Sequence, residues 1–141
     1  MNILLAIGVF AFSLSASAAD FCNRQPLDPE VPAGLEGSYE IIGKDPATGK
    51  PYAGTLVIGY GNHAYSLTRS TSGINSKGDA WLELCGMDKI QFLVGRYRMK
   101  SASVEISCRL GADGDNYYRA TCKTRLVGGK WVGLESWFQT P

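Results

Sequence analysis

The residues best equipped for chemistry in this chain are its four cysteines, Cys22, Cys85, Cys108 and Cys122. Thiolates can hold zinc, attack electrophiles or pair as disulfides. Zinc sites usually draw on close pairs such as C-x-x-C, but the shortest cysteine spacing here is fourteen, from Cys108 to Cys122. An even number of widely spaced cysteines in a small exported chain reads instead as two disulfides formed in an oxidising compartment. Oxidation also removes the thiol nucleophiles.

The other candidates are weaker. The only histidine, His63, follows Gly61-Asn62 and reads as a surface residue at a hairpin tip. No serine sits in a Gly-x-Ser-x-Gly elbow. Glu83, Glu105 and Glu135 fall where outward strand positions are expected, and nothing marks two of them as a glycosidase pair. "GADGDN" has an aspartate-glycine rhythm but lacks the twelve-residue frame and final glutamate of a calcium loop. "GKDPATGKPYAG", from Gly43 to Gly54, suggests a phosphate loop. That motif needs four residues between its glycines and a hydroxyl after the lysine, to hold magnesium. Here five residues separate Gly43 from Gly49, and Pro51 stands at the hydroxyl position. The sequence therefore predicts no catalytic residue, no metal, no cofactor, no nucleotide and no nucleic acid.

The elements that carry these residues follow from composition and period. At 141 residues the chain suits one domain. Residues 1–19 read as a signal peptide cut after Ala18 or Ala19: the run is apolar, too short to span a bilayer, and ends in Ala-Ser-Ala. No lysine or arginine precedes it, so the amino terminus supplies the positive charge. Residues 20–36, rich in proline, read as an extended strap, and residues 37–141 as a single β domain without a transmembrane segment.

From Gly37 onward the segments alternate polar and apolar, and no window shows a helical period. Gly61-Asn62 between two such runs is a hairpin signal. The remaining breaks, "STSGINSKGD", "GMD", "MKS", "GADGDN" and "VGG", are too short for crossover helices, so neighbouring strands should pair antiparallel. The expected fold is all-β, about eight antiparallel strands in a meander. It would close as a small barrel, like that of lipocalins, or form a two-sheet sandwich. Val104, Ile106, Cys108 and Leu110 share one face, as do Tyr118, Ala120, Cys122 and Leu126. Cys108 opposes Cys122 if the intervening loop centres near Asp115, and opposes no cysteine if it centres on Asp113-Gly114. Of the three pairings open to four cysteines, Cys108–Cys122 with Cys22–Cys85 is preferred.

Charge is uneven. Residues 20–85 carry eight acids and five bases, whereas residues 86–141 carry five acids and nine bases. Arg96, Arg98, Arg119, Lys123 and Arg125, with Tyr117 nearby, fall on adjacent expected strands and form a candidate contact patch for a protein or an anionic envelope component. An ordinary solvated face is the commoner meaning of such a pattern.

The stretch "GSYEIIGKDPATGKPYAGTLVIGYGNHAYSLTR" resembles the repeat of a group of exported bacterial glycine/aromatic-repeat β proteins, some of which carry the name fibronectin-binding protein. Gly37, Tyr39, Gly43, Pro46, Gly49, Tyr52, Gly54, Ile58 and Tyr65 match that pattern, and Arg69 stands where a tryptophan is usual. "GGKWVGLESWF" is similar to the segment that closes such proteins. The resemblance implies an exported β module and supplies no catalytic residue. The expected function is a non-catalytic periplasmic or secreted binding module. Two alternatives are an inhibitor of a hydrolase, plugging it with a loop over Ser70–Asp79, and a barrel that holds a small apolar ligand.

Overall fold

In a computed structural model of the chain, residues 21–26, 34–99, 102–112 and 118–141 are described. The expected cleavage site at Ala18 and Ala19, residues 20 and 27–33 of the strap, and Tyr117 lie outside them. Among the described residues, nine strands form one antiparallel sheet: β1 (Cys22–Arg24), β2 (Gly37–Lys44), β3 (Pro51–Gly61), β4 (Ala64–Thr71), β5 (Ile74–Cys85), β6 (Ile90–Met99), β7 (Ala102–Ala112), β8 (Tyr118–Leu126) and β9 (Gly133–Gln139). The order is β1-β5-β4-β3-β2-β9-β8-β7-β6, and β5 also pairs with β6. Strands β2 to β9 thus close an eight-stranded barrel. Closure rather than a sandwich removes the unpaired edges that a curled open sheet would expose.

β1 is the extra strand, and its place follows from the length of β5. β4 pairs along β5 only from Ile74 to Ala80. Beyond that point β1 takes over, setting Arg24 opposite Glu83 and Cys22 opposite Cys85. The backbone N–H of Gln25 donates to the Leu82 carbonyl and that of Gly86 to the Phe21 carbonyl, at 2.8 and 3.2 Å. β1 therefore covers an edge that β4 is too short to reach. The Cys22–Cys85 disulfide fixes it there, and Cys108–Cys122 bridges β7 and β8. In both bridges the two cysteines face each other in register.

Two turns differ from their sequence expectation. Gly61 pairs with Ala64, so the hairpin tip is Asn62-His63, one residue later than the glycine suggests. Both tip residues have positive φ, 52° and 59°. The two-residue primed turn requires this, and Asn and His tolerate it. "STSGINSKGD" is not a break. Thr71 pairs with Ile74 around a tight Ser72-Gly73 turn, and β5 has already begun. Its alternation is hidden because Ser76 and Gly78, in phase with Ala80 and Leu82, are small inward residues rather than large apolar ones.

The interior has two unlike ends. At one, Leu35, Tyr39, Ile58, Tyr65, Leu82 and Leu93 are at most 2% exposed. The Tyr39 hydroxyl donates to the Leu35 carbonyl at 2.7 Å, so the segment before β2 packs into the core. Tyr39 meets Trp137 edge-on, with ring centroids 6.1 Å apart. At the other end polar groups join the core: Arg69, Thr71, Ser76, Thr124 and Glu135 are buried beside Tyr97 and Val104.

Candidate functional site

The polar end is built from alternation carried past the point where residues are apolar. On β4, Tyr65, Leu67 and Arg69 face inward; on β9, Glu135 and Trp137 do. Glu135 is therefore not on the outer surface, where a strand glutamate is expected, because it shares the phase of Trp137. Arg69 donates from Nη1 to Glu135 Oε1 and from Nη2 to Oε2, each at 2.7 Å. Trp137 Nε1 donates to the same Oε1, and the Tyr52 hydroxyl donates to Oε2. Four donors fill the acceptor sites of the carboxylate. The guanidinium carbon lies 3.9 Å from the Tyr97 ring centroid, so the cation also stacks on an aromatic face.

The space for this cluster comes from glycines. A Cβ at Gly43 would lie 2.6 Å from the Tyr52 ring and one at Gly133 would lie 2.0 Å from Thr124 Oγ1. Gly43 is opposite Tyr52 in the register, so the bare backbone lets the ring lean over β2 toward Glu135.

The electrostatics follow from burial. Burial opposes the charge on Arg69, but the Coulombic pull and hydrogen bonds of Glu135 outweigh it and raise the guanidinium pKa. The Tyr52 hydroxyl is raised, first by burial and then by the Glu135 charge. Burial pushes Tyr97 up to about 12, against the opposing pull of Arg69. Both partners of the ion pair are within 1% of complete burial. Chemically, this arrangement ties together β3, β4, β6 and β9.

The residues expected to form a basic contact patch separate into two groups. Arg96, Glu105 and Arg125 stand in one cross-strand row on β6, β7 and β8. Arg96 Nη2 and Arg125 Nε donate to Glu105 at 2.6 and 2.7 Å. The Arg96 hydrogen bond, ahead of that from Arg125, holds the Glu105 carboxyl below its usual range. Arg125 also lies 4.3 Å from the centroid of Trp131. These two cations are thus engaged within the molecule. Arg98 is exposed on β6, opposite Ser103. Arg119 and Lys123 share the outward face of β8 with Arg125, but stand earlier along the strand, where its outward positions also pair with Phe138 and Leu134 of β9.

There they join residues that the sequence reading did not single out. The outward positions of β8, β9 and β2 form a grid. Arg119, Phe138 and Glu40 make its first row, Thr121, Ser136 and Ile42 its second, and Lys123, Leu134 and Lys44 its third. Directly opposed residues on one face have Cβ atoms about 5 Å apart. Leu134, Ile42 and Phe138 are 56%, 55% and 37% exposed, and Ile42 on β2 stands diagonal to both Phe138 and Leu134 on β9, so the three form an apolar triangle. Val132 and Trp131 extend it past the start of β9. Arg119 lies 5.9 Å from the Phe138 centroid. Neither Lys44 nor Lys123 has an ion-pair partner among the described residues.

Two further places gather groups of the kinds that sites use. Cys22, Glu83 and Cys85 come within 4.8 Å of one another, as a metal would require, but both thiols are tied up in the disulfide. His63 lines a shallow depression with Arg24, Gln25 and Pro26. The two disulfides suit an oxidising, extracytoplasmic setting. Among the described residues no helix is long and apolar enough to cross a membrane. No protein-family model matches the chain, and no match was found among curated proteins or solved structures.

Proposed function

We propose that this protein is an exported, non-catalytic binding module that contacts a protein or an envelope polymer through the outer face of its barrel. The observation that carries this reading is the grid on β8, β9 and β2. Three large apolar side chains stand exposed together there, and one of them, Leu134, lies between two lysines, Lys44 and Lys123, that have no ion-pair partner among the described residues. Exposed apolar groups rimmed by charge are the ordinary anatomy of a contact surface.

The competing readings have less support. A small-ligand barrel needs an interior void, yet the inward positions here carry Leu56, Leu67, Ile106, Trp137 and the Arg69–Glu135 pair, all at most 1% exposed. A hydrolase inhibitor built on Ser70–Asp79 needs a projecting loop, and that stretch is strand apart from its two-residue turn. A polymer would find its own place on a different part of the barrel. Thr55, Thr68, Ser70, Asn75 and Lys77 line a shallow groove of about 480 Å³ on β3, β4 and β5, and such hydroxyl and amide groups suit a sugar chain.

The test is capture from an extracytoplasmic extract, using immobilised wild type and a Lys44→Ala/Lys123→Ala variant, with proteins and polysaccharides assayed separately. The reading expects a component retained by wild type and depleted on the variant. Identical recovery by the two would remove the face from consideration.

A further inference from the structure

The chemistry of the same face narrows the class of its partner, and the inference rests on the binding-module reading above. We propose that the β8–β9–β2 face docks an acidic protein, with Leu134, Ile42 and Phe138 entering an apolar centre and Lys44 and Lys123 meeting carboxylates around it.

The third row of the grid sets the chemistry. Leu134 stands directly between Lys123 and Lys44, so an apolar anchor is flanked on both sides by ammonium groups within one cross-strand step. A partner that buries Leu134 brings its own surface against both cations. Its complementary groups there are anionic, because an unpaired buried ammonium is costly. Three strands and two i to i+2 steps span roughly 10 by 14 Å, the size of the centre of a protein interface rather than the whole.

Other occupants fit less well. In a second copy of this chain, a twofold axis along β9 sets Lys44 against Lys123. An axis across β9 sets Lys123 against Arg119. Each arrangement apposes two cations but also sets Glu40 against a base, Arg119 in the first and Lys44 in the second, so like and opposite pairs offset and a second copy gains no net charge complementarity. A lipid surface would accept Leu134 and Phe138 and attract the lysines. It would also bury Glu40, Ser136 and Thr121, which share the grid, against hydrocarbon that offers no hydrogen bonds. An anionic sugar chain would satisfy the lysines but gains little from the aliphatic Ile42, Leu134 and Val132. A folded acidic protein supplies both carboxylates and apolar contacts, and its donors can reach the interleaved hydroxyls.

The test uses four probes: a random copolymer of glutamate and tyrosine, polyglutamate, polygalacturonate, and phosphatidylglycerol vesicles. Sedimentation of the protein alone is run in parallel. The variants are Leu134→Ser and Lys44→Ala/Lys123→Ala, each first shown to melt with the wild type. The copolymer should bind more tightly than polyglutamate. Leu134→Ser should weaken the copolymer about tenfold, as loss of a central anchor does, and leave polyglutamate unchanged. The lysine variant should weaken both. Equal copolymer binding by wild type and Leu134→Ser overturns the proposal. So does tighter binding of vesicles or polygalacturonate that the lysine variant loses, although the binding-module reading then survives. Self-association lost in Leu134→Ser overturns it in favour of a dimer. If wild type binds none of the four probes, the proposal falls, and the binding-module reading stands or falls by the capture experiment above.

Discussion

Arg69 and Glu135, from β4 and β9, meet inside the barrel in a two-pronged ion pair with both bonds at 2.7 Å and neither partner open to solvent. Desolvating two such charges offsets much of their attraction, so the pair itself adds little net stability. Stranding one partner is a different matter and costs about 3–5 kcal/mol. Glu135→Gln and Arg69→Met should therefore each destabilise by that order in urea unfolding. The double variant Arg69→Met/Glu135→Leu should lose less than either single change. If the double loss equals the sum of the singles, the two residues are not coupled.

Tyr52 reaches this carboxylate only because β2 has no side chain at Gly43. Gly43→Ala should cost about 1–3 kcal/mol, as overpacking does. Gly61→Ala is the control: a Cβ there meets nothing within 4 Å, and the change should stay within about 0.5 kcal/mol. Equal melting temperatures for the two variants would contradict the close packing of Tyr52 on Gly43.

The alkaline limb of stability should be steep. Burial raises Tyr39, Tyr52 and Tyr97 in the folded chain, Tyr97 to about 12, from the ordinary value of 10. Such a group holds its proton in the native state after the unfolded chain has lost it. The native advantage is thus complete below pH 10 and falls as pH rises from 10 towards 12 and beyond. Each tyrosine contributes about 1.4 kcal/mol per pH unit to the decline. Tyrosinate absorbance followed alongside circular dichroism should show these three ionising together with unfolding. Ionisation of all the tyrosines before the sheet is lost would refute this.

The two disulfides should differ in reactivity. Cys108 and Cys122 are fully buried, whereas Cys22 is exposed and Cys85 half-buried. Thiol exchange needs access to a sulfur. Mild dithiol treatment of the folded protein, followed by alkylation and mass spectrometry, should label Cys22 and Cys85 first. Labelling of Cys108 at the same rate would show that the barrel opens readily.

Much of this was legible in the sequence, for a physical reason. Alternation with period two and the short connections specify antiparallel neighbours, and the shared phase of Cys108 and Cys122 allows their bridge. Several residues in the glycine-aromatic stretch have local work in the barrel: Gly43 makes room for Tyr52, and Tyr39 closes onto Leu35. The buried ion pair was misread because residue type was given more weight than phase. Glu135 alternates with Trp137, and Arg69 with Leu67 and Tyr65, which already places one acid and one base on inward positions. The grid on β8, β9 and β2 was missed for another reason. Its columns come from chain segments far apart, and which strand lies beside β9 is not a local property.

That last pairing governs when the face exists. Seven of the eight pairings in the barrel join strands adjacent in sequence, and only β2 with β9 joins the two ends of the domain, setting Tyr39 opposite Gln139. Joining the ends carries the largest loop-closure entropy and belongs late in folding. Ile42 and Lys44 reach Leu134 only once that zipper has closed. A chain whose two ends have not yet met would display every hairpin and still lack the surface, so any partner of that face would also be reading whether the barrel has closed.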